Sequence, residues 1–482
     1  MTRRSQAIAV IALLLAAFAL RYAVAGRAIW FDERFTLLNT ESVGAAIDHC
    51  LKDVHPPLYF VLMALWRALL PSTELYMRLL SLIFGMASLV GILLAAREVA
   101  GRRAGVAALA IATFAPHHWL YSTELRPYAM FLAFSAFATW AFLCAMKTGK
   151  LKYFALLAVF TALNLYTHYF AVFLLLSQAL VLLTVALRNS ATGRWTSGYR
   201  NRLILYGLFT LAVVAVAYAP WMSVLRGIIT ASVVDGDVVG AGRRVGRGVT
   251  AKLISTSLFD SMGQGLIPFV LQAAFVAWAV TLRRFRDASL LFIVTWVLPF
   301  LLLSAWRPEH FIAAKYFVFA YPVTAAMAGV GLASVAGFVA EKGGRTALIF
   351  GLLVLVVALS PLLPGQHKRY AFHRSDWRDV VAALGEHAGH GERVCFPADS
   401  KSYAMVMHYA DEGFFGRHPV ILWRASDGPA PFVSLEPGAS VWLLKRGKLP
   451  ADLQTGLAAG LETVETWQIY PDAVTLYHFT SK

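Results

Sequence analysis

Apolar runs long enough to cross a lipid bilayer recur along most of this chain. They fall at roughly 7–25, 76–97, 104–121, 127–146, 153–168, 170–187, 203–222, 264–282, 288–306, 315–340 and 345–363. Most are near the about 20 residues a helix needs to traverse the hydrocarbon core. Of the 482 residues, 59% are hydrophobic and only 15% charged, and mean hydropathy is +0.62. A soluble core of this size has no room for so much apolar surface. The expected fold is therefore a polytopic α-helical membrane protein with about eleven transmembrane helices.

The loops give the expected sidedness. Met1–Arg4, Arg97–Arg103, Lys147–Lys152, Arg188–Arg202, Arg283–Arg286 and Glu341–Arg345 carry the cations and read as cytoplasmic. The net charge of +16 and pI near 9.8 are then topology signals and lipid-phosphate contacts, and nucleic acid is not an expected partner. Residues 26–75, 122–126, the turn at His168, 223–263, 307–314 and everything after Pro364 fall on the outer side. Arg21 and Tyr22 sit poorly in a signal-cleavage region, so the first helix is expected to stay. The apolar run from Pro57 to Leu70 is too short to cross and reads as an interfacial helix, with Tyr59 and Trp66 at headgroup level. Cys50, Cys144 and Cys395 show no metal-binding spacing, and no disulfide is expected.

After residue 363 the composition changes. Strand-length runs appear at Val394–Phe396, Val420–Trp423, Val441–Leu444, Val464–Ile469 and Ala473–His478, with amphipathic helices expected at Trp377–His387 and Lys401–Asp411. The expected division is a membrane part over 1–363 and a small extracytoplasmic α/β domain over 364–482. Asp235–Gly248 reads as an outer loop, and Asp376 as the cap of the helix after it.

The outer face collects the polar residues. Asp32 and Glu33 are adjacent acids followed by Arg34. His55 precedes Pro56-Pro57. Glu124 and Arg126 stand in Tyr121-Ser122-Thr123-Glu124-Leu125-Arg126-Pro127-Tyr128. Tyr166 and His168 lie at a span boundary, and Arg307, Glu309, His310, Lys315 and Tyr316 follow. Charge deep in lipid costs roughly 2.5–3.5 kcal/mol per residue, so these groups belong at a boundary or in a polar cavity. Such a set suits transfer of a sugar from a lipid phosphate. That reaction needs a carboxylate to take the acceptor's proton and cations to hold the departing phosphate. Asp32 or Glu33 can serve as base, and Arg34, Arg126, His168, Lys315 and Arg307 as phosphate contacts. A transporter or lipid-linked sugar flippase is the rival reading. It is disfavoured by one-sided charges and by the lack of two related halves.

Trp30-Phe31-Asp32-Glu33, His55-Pro56-Pro57-Leu58-Tyr59, the 121–128 pattern, Tyr166-Thr167-His168-Tyr169, Lys315-Tyr316 and Asp376-Trp377-Arg378 together resemble bacterial members of the protein O-mannosyltransferase superfamily, which includes the lipid A aminoarabinose transferases. The resemblance implies a GT-C fold, juxtamembrane helices in the first outer loop over 26–75, and a bacterial inner-membrane enzyme with its N-terminus in the cytoplasm. It also implies an inverting glycosyltransferase using a polyprenyl-phosphate sugar and an extracytoplasmic acceptor. It assigns Asp32 as base, with Glu33 beside it, Glu124 as a second acidic site and Arg126 as a phosphate or substrate contact. Arg34, His55, Tyr166, His168, Lys315 and Tyr316 complete the expected substrate-binding set. His55 stands where the aminoarabinose transferases carry a lysine that contacts lipid phosphate. This leaves open direct binding by imidazole or a divalent ion on His55, Glu124, His168 or His310.

Overall fold

The computed structural model describes residues 2–191, 196–234, 247–262, 266–306, 313–344, 377–389, 391–397, 401–410, 412–423, 439–446, 461–470 and 474–481. Its helices are α1 (Arg3–Ala25), α2 (Phe31–Leu38), α3 (Val43–Lys52), α4 (Leu58–Leu69), α5 (Glu74–Ala100), α6 (Arg102–Phe114), α7 (Pro116–Ser122), α8 (Tyr128–Thr148), α9 (Leu151–Leu165), α10 (Ala171–Ala191), α11 (Ser197–Val234), α12 (Arg247–Ser261), α13 (Leu266–Thr281), α14 (Arg286–Trp306) and α15 (Tyr321–Lys342). The C-terminal part adds β1 (Arg393–Pro397), β2 (Val420–Trp423), β3 (Ser440–Arg446), β4 (Leu461–Tyr470) and β5 (Val474–Ser481). Its helices are α16 (Trp377–His387), α17 (Lys401–Tyr409) and α18 (Glu412–Arg417). Contacts divide the chain into two compact units, Met1–Gly26 with Asn39–Tyr370, and Arg27–Leu38 with Ala371–Lys482. The short segment 27–38 thus falls with the C-terminal unit, whereas the sequence kept all of 26–75 with the membrane part.

Among the described residues, seven helices are long and apolar enough to cross a membrane. A bent pair, Ala251–Ser261 with Leu266–Thr281, brings the number to eight if it is one span. The expected span at 345–363 lies outside the described residues. The expected span at 104–121 is broken into α6 and α7, and the cause is local. A residue before proline is driven out of helical geometry, and Ala115 is extended (φ −71°, ψ 118°) ahead of Pro116. Pro116 then opens α7 at its first turn.

Breaking a helix among apolar neighbours leaves carbonyls without partners. Arg21 of α1, fully buried, supplies them. Its guanidinium donates to Thr113 O at 3.2 Å and Ala112 O at 3.3 Å, in the last turn of α6. It also donates through Nε to Ser122 Oγ at 2.9 Å and meets His118 Nδ1 at 2.8 Å. The other nitrogen of His118 lies 2.7 Å from Ser88 Oγ on α5. Arg78, also fully buried, treats α1 in the same way, donating to the carbonyl of its last residue, Ala25, at 2.8 Å. Close approach completes the packing. A Cβ on Gly85 would meet Ser122 Cβ at 2.2 Å, and one on Gly329 would meet Ala108 at 2.5 Å. Small residues of this kind let helices pack in lipid.

α4 buries Tyr59, Phe60, Met63 and Ala64 on one face. Tyr59 does not lie at a surface, as its sequence position suggested. It is buried, and its hydroxyl shares a hydrogen bond with Ser81 of α5 at 3.1 Å. The three cysteines are buried free thiols.

In the second unit the sheet order is β2-β1-β3-β5-β4. β1 runs parallel to β2 and β3, whereas β5 is antiparallel to β3 and β4. The expected strands all appear at these places, most of them a few residues longer. Cys395, Val441, Leu443 and Phe479 form their core. α2 joins this unit through α17, where the Ile29 N–H donates to the Tyr409 hydroxyl at 2.7 Å. Asp376 lies outside the described residues.

Replacing Arg21 with methionine removes the partners of two carbonyls while keeping bulk. The variant should lose roughly 3 kcal/mol and melt at least about 5 °C lower in detergent. An unchanged Tm would show that the buried guanidinium does not hold the α6–α7 break.

Candidate functional site

The two adjacent acids have different surroundings. α2 starts at Phe31, so Trp30 is its cap and Glu33 its third residue. Glu33 is fully buried, and its Oε2 accepts from the Trp30 N–H at 3.1 Å. This is the reciprocal half of a capping box. Asp32 is half-buried one residue earlier, and its own carbonyl accepts from Thr36 Oγ1 at 3.1 Å. Glu33 is thus engaged by the backbone at the start of α2. Burial pushes the Arg34 guanidinium below its ordinary value.

In the first unit, α3 and the chain after it build a second cluster. His49 lies in the last turn of α3 and Asp53 closes that helix in extended conformation (φ −126°, ψ 166°). Two residues on, His55 returns to the same side, as alternation along an extended chain requires. Asp53 Oδ2 lies 3.1 Å from His49 Nε2 and 3.0 Å from His55 Nδ1. Burial alone would raise the Asp53 carboxyl. The two nearby imidazoles, His55 through a hydrogen bond, and the Val54 N–H hold it well below the usual range instead. Arg126 reaches the far side of His55, with Nη2 2.9 Å from Nε2. A guanidinium only donates, so Nε2 accepts and the ring keeps its proton on Nδ1, toward Asp53. Burial lowers the His55 pKa, and Arg126 and His49 push the same way against Asp53.

His168 extends the cluster. Burial lowers it to about 3, with His55, Arg126 and Lys315 adding positive charge nearby. The neutral ring stacks on Phe131 at 4.6 Å and meets Tyr316 at 5.3 Å, and its Nδ1 accepts from the Phe170 N–H at 3.2 Å. Lys315 Nζ lies 5.5 Å over the Tyr128 ring, a cation–π placement. The Leu58 N–H donates to the Tyr166 carbonyl at 3.0 Å, joining the start of α4 to this turn. The Tyr166 hydroxyl donates to Ala217 O at 2.9 Å, so that group holds α11. Glu124 and Arg126 are both buried in the turn between α7 and α8.

Of the expected substrate-binding residues, His55, Arg126, His168, Lys315 and Tyr316 come together within one unit, whereas Arg34 belongs to the other. The expected metal set does not come together. Among the described residues, the metal-capable atoms that converge belong to His49, Asp53 and His55. Glu124 and His168 are not part of that group, and His310, with Arg307 and Glu309, lies outside the described residues. His49 and Asp53 were missed in the sequence. The signal was a four-residue spacing at a helix end with a further histidine two residues on.

The profile of the family described as dolichyl-phosphate-mannose-protein mannosyltransferase matches residues 54–221, a stretch holding His55, Glu124, Arg126 and His168. No curated protein sequence matches the chain. Among solved structures, ArnT from Cupriavidus metallidurans in the apo state is 14% identical with a TM-score of 0.55, covering 97% of each chain. The same protein bound to undecaprenyl phosphate gives 14% and 0.53, covering 99% of this chain and 98% of that one. The Archaeoglobus fulgidus oligosaccharyltransferase in its apo form is 14% identical with a TM-score of 0.54, over 92% of this chain and 70% of that one. The likeness to these structures is one of fold, and the family profile matches about a third of the chain.

The capping role of Glu33 has a direct consequence. Glu33→Ala should destabilise the unit holding α2 by about 1 kcal/mol, and Glu33→Gln, which keeps an acceptor oxygen, should restore most of it. Thermal unfolding of the two variants reads the difference, and equal stabilities would remove the capping assignment.

Proposed function

We propose that this protein is an inverting membrane glycosyltransferase that moves one sugar from a polyprenyl-phosphate donor to an extracytoplasmic acceptor, a protein, lipid or cell-envelope glycan. The observation that carries this reading is the gathering of His55, Arg126 and His168, from the family-matched part of the chain, with Lys315. Two cations and two imidazoles with an aromatic floor fit a phosphate joined to a sugar. The enzyme is placed in the bacterial inner membrane, with its N-terminus in the cytoplasm and its C-terminal domain outside, on the alternation of charged loops.

In the reaction the acceptor oxygen attacks the anomeric carbon opposite the phosphate. The bond between that carbon and the phosphate oxygen breaks, and its electron pair leaves with the polyprenyl phosphate. Arg126 and Lys315 offset the charge gathering there, and the acceptor's proton passes to Asp32. Asp32 is assigned as base through the resemblance of its motif. Tyr316 and Tyr128 shape the wall beside His168 and Lys315.

Asp32→Asn should lower turnover by roughly 10²–10⁴-fold with donor affinity nearly unchanged. Normal turnover in this variant would reject the assigned base. Arg126→Ala should weaken donor binding by roughly 10–100-fold, the loss of one charge-assisted hydrogen bond. Unchanged affinity would remove Arg126 from the phosphate site. Both are read by titrating detergent-purified protein with a polyprenyl-phosphate sugar.

A further inference from the structure

Two imidazoles and one carboxylate converge at the end of α3. Tetrahedral coordination by nitrogen and oxygen at 2.0–2.2 Å sets neighbouring ligand atoms about 3.3 Å apart. Asp53 Oδ2 lies 3.1 Å from His49 Nε2 and 3.0 Å from His55 Nδ1, and the three atoms lie within 4.8 Å of one another. The rings are held in place. Phe60 packs on both, with centroids 5.2 Å from His49 and 5.4 Å from His55. The side chains of His49, Asp53 and His55 are 10%, 26% and 24% exposed, so an ion can reach them from solvent. We propose that His49 Nε2, Asp53 Oδ2 and His55 Nδ1 form a binding site for one divalent cation of the zinc class. Two neutral nitrogens and one carboxylate suit zinc better than magnesium or calcium, which favour oxygen.

The site is coupled to Arg126. Without an ion, Arg126 donates to His55 Nε2, and the ring's one proton sits on Nδ1 and points to Asp53. An ion takes the Nδ1 lone pair, so that proton must move to Nε2. Two donors would then face each other, and Arg126 has to leave His55. His49 binds through the Nε2 lone pair with its proton on Nδ1, so both rings stay neutral. Three protein ligands leave a fourth coordination position open. If the phosphate reading above holds, that position and the released guanidinium can both meet the donor's phosphate; the ion site itself does not depend on that reading.

The test uses the full chain in detergent, without a polyhistidine tag, stripped with chelator and titrated with Zn²⁺ by calorimetry and with Co²⁺ by visible absorption. The expected result is one equivalent bound, with a tetrahedral cobalt band. His49→Gln and Asp53→Asn should each weaken affinity by roughly 100-fold or more. Arg126→Gln should bind Zn²⁺ at least as tightly as the wild type, since an amide oxygen can accept the Nε2 proton. Absence of binding to the wild type, or binding indifferent to both His49→Gln and Asp53→Asn, overturns the site. Loss of affinity in Arg126→Gln overturns the coupling. Size-exclusion profiles identify a variant that fails to fold, and His55→Gln then replaces it. All readouts are of ion binding, so they stand apart from whether sugar transfer is ever observed.

Discussion

A broken helix among apolar neighbours must find partners for its carbonyls, and most of the first unit's polar architecture follows from how this chain does so. α6 stops because Pro116 forces Ala115 out of helical geometry. Arg21 then fills the gap, and the same guanidinium binds Ser122 and His118 on α7. α7 leads directly into the turn that carries Glu124 and Arg126. Fixing α7 therefore fixes where Arg126 begins. Gly85 contributes by letting Ser122 approach α5 more closely than any side chain would allow. A charged residue within the first span is at once a helix cap and the support for the turn that carries Glu124 and Arg126.

A second constraint is electrostatic. Burial makes His55 and His168 hard to protonate, and Arg126 adds to this at both rings. The two histidines stay neutral, and Asp53, hydrogen-bonded to His55 and 3.1 Å from His49 Nε2, balances part of the remaining charge. Neutral His55 can then accept from Arg126 and donate to Asp53 at once. Such a cluster is costly to assemble when empty and becomes favourable when an anion enters, which is what binding a lipid phosphate demands.

Much of this was legible in the sequence because bilayer physics is coarse. Apolar length found most of the spans, including the short α4 that cannot cross, and alternation found the strands of the second unit. His55, Arg126, His168 and Lys315 stood in the wider set of outer-face polar residues read from the motifs, and these four lie near one another. What the sequence hid was assigned by tertiary partners. Arg21 read only as an argument against cleavage, since the carbonyls it caps are about 90 residues away in the chain. Glu33 and Asp32 could not be separated until the start of α2 was known. Tyr59, amphipathic in type, is buried because Ser81 is there to receive its hydroxyl. His49 and Asp53 pass for an ordinary helix end until His55 is placed beside them.

The most direct measurement is whether the wild-type protein consumes a polyprenyl-phosphate sugar. Purified protein in nanodiscs, supplied with a panel of such donors and a membrane extract as acceptor source, should release free polyprenyl phosphate from one donor and label one acceptor with the inverted anomer. No release from any donor, with the protein folded and the extract active toward another transferase of this superfamily, would contradict the assignment of a polyprenyl-phosphate glycosyltransferase.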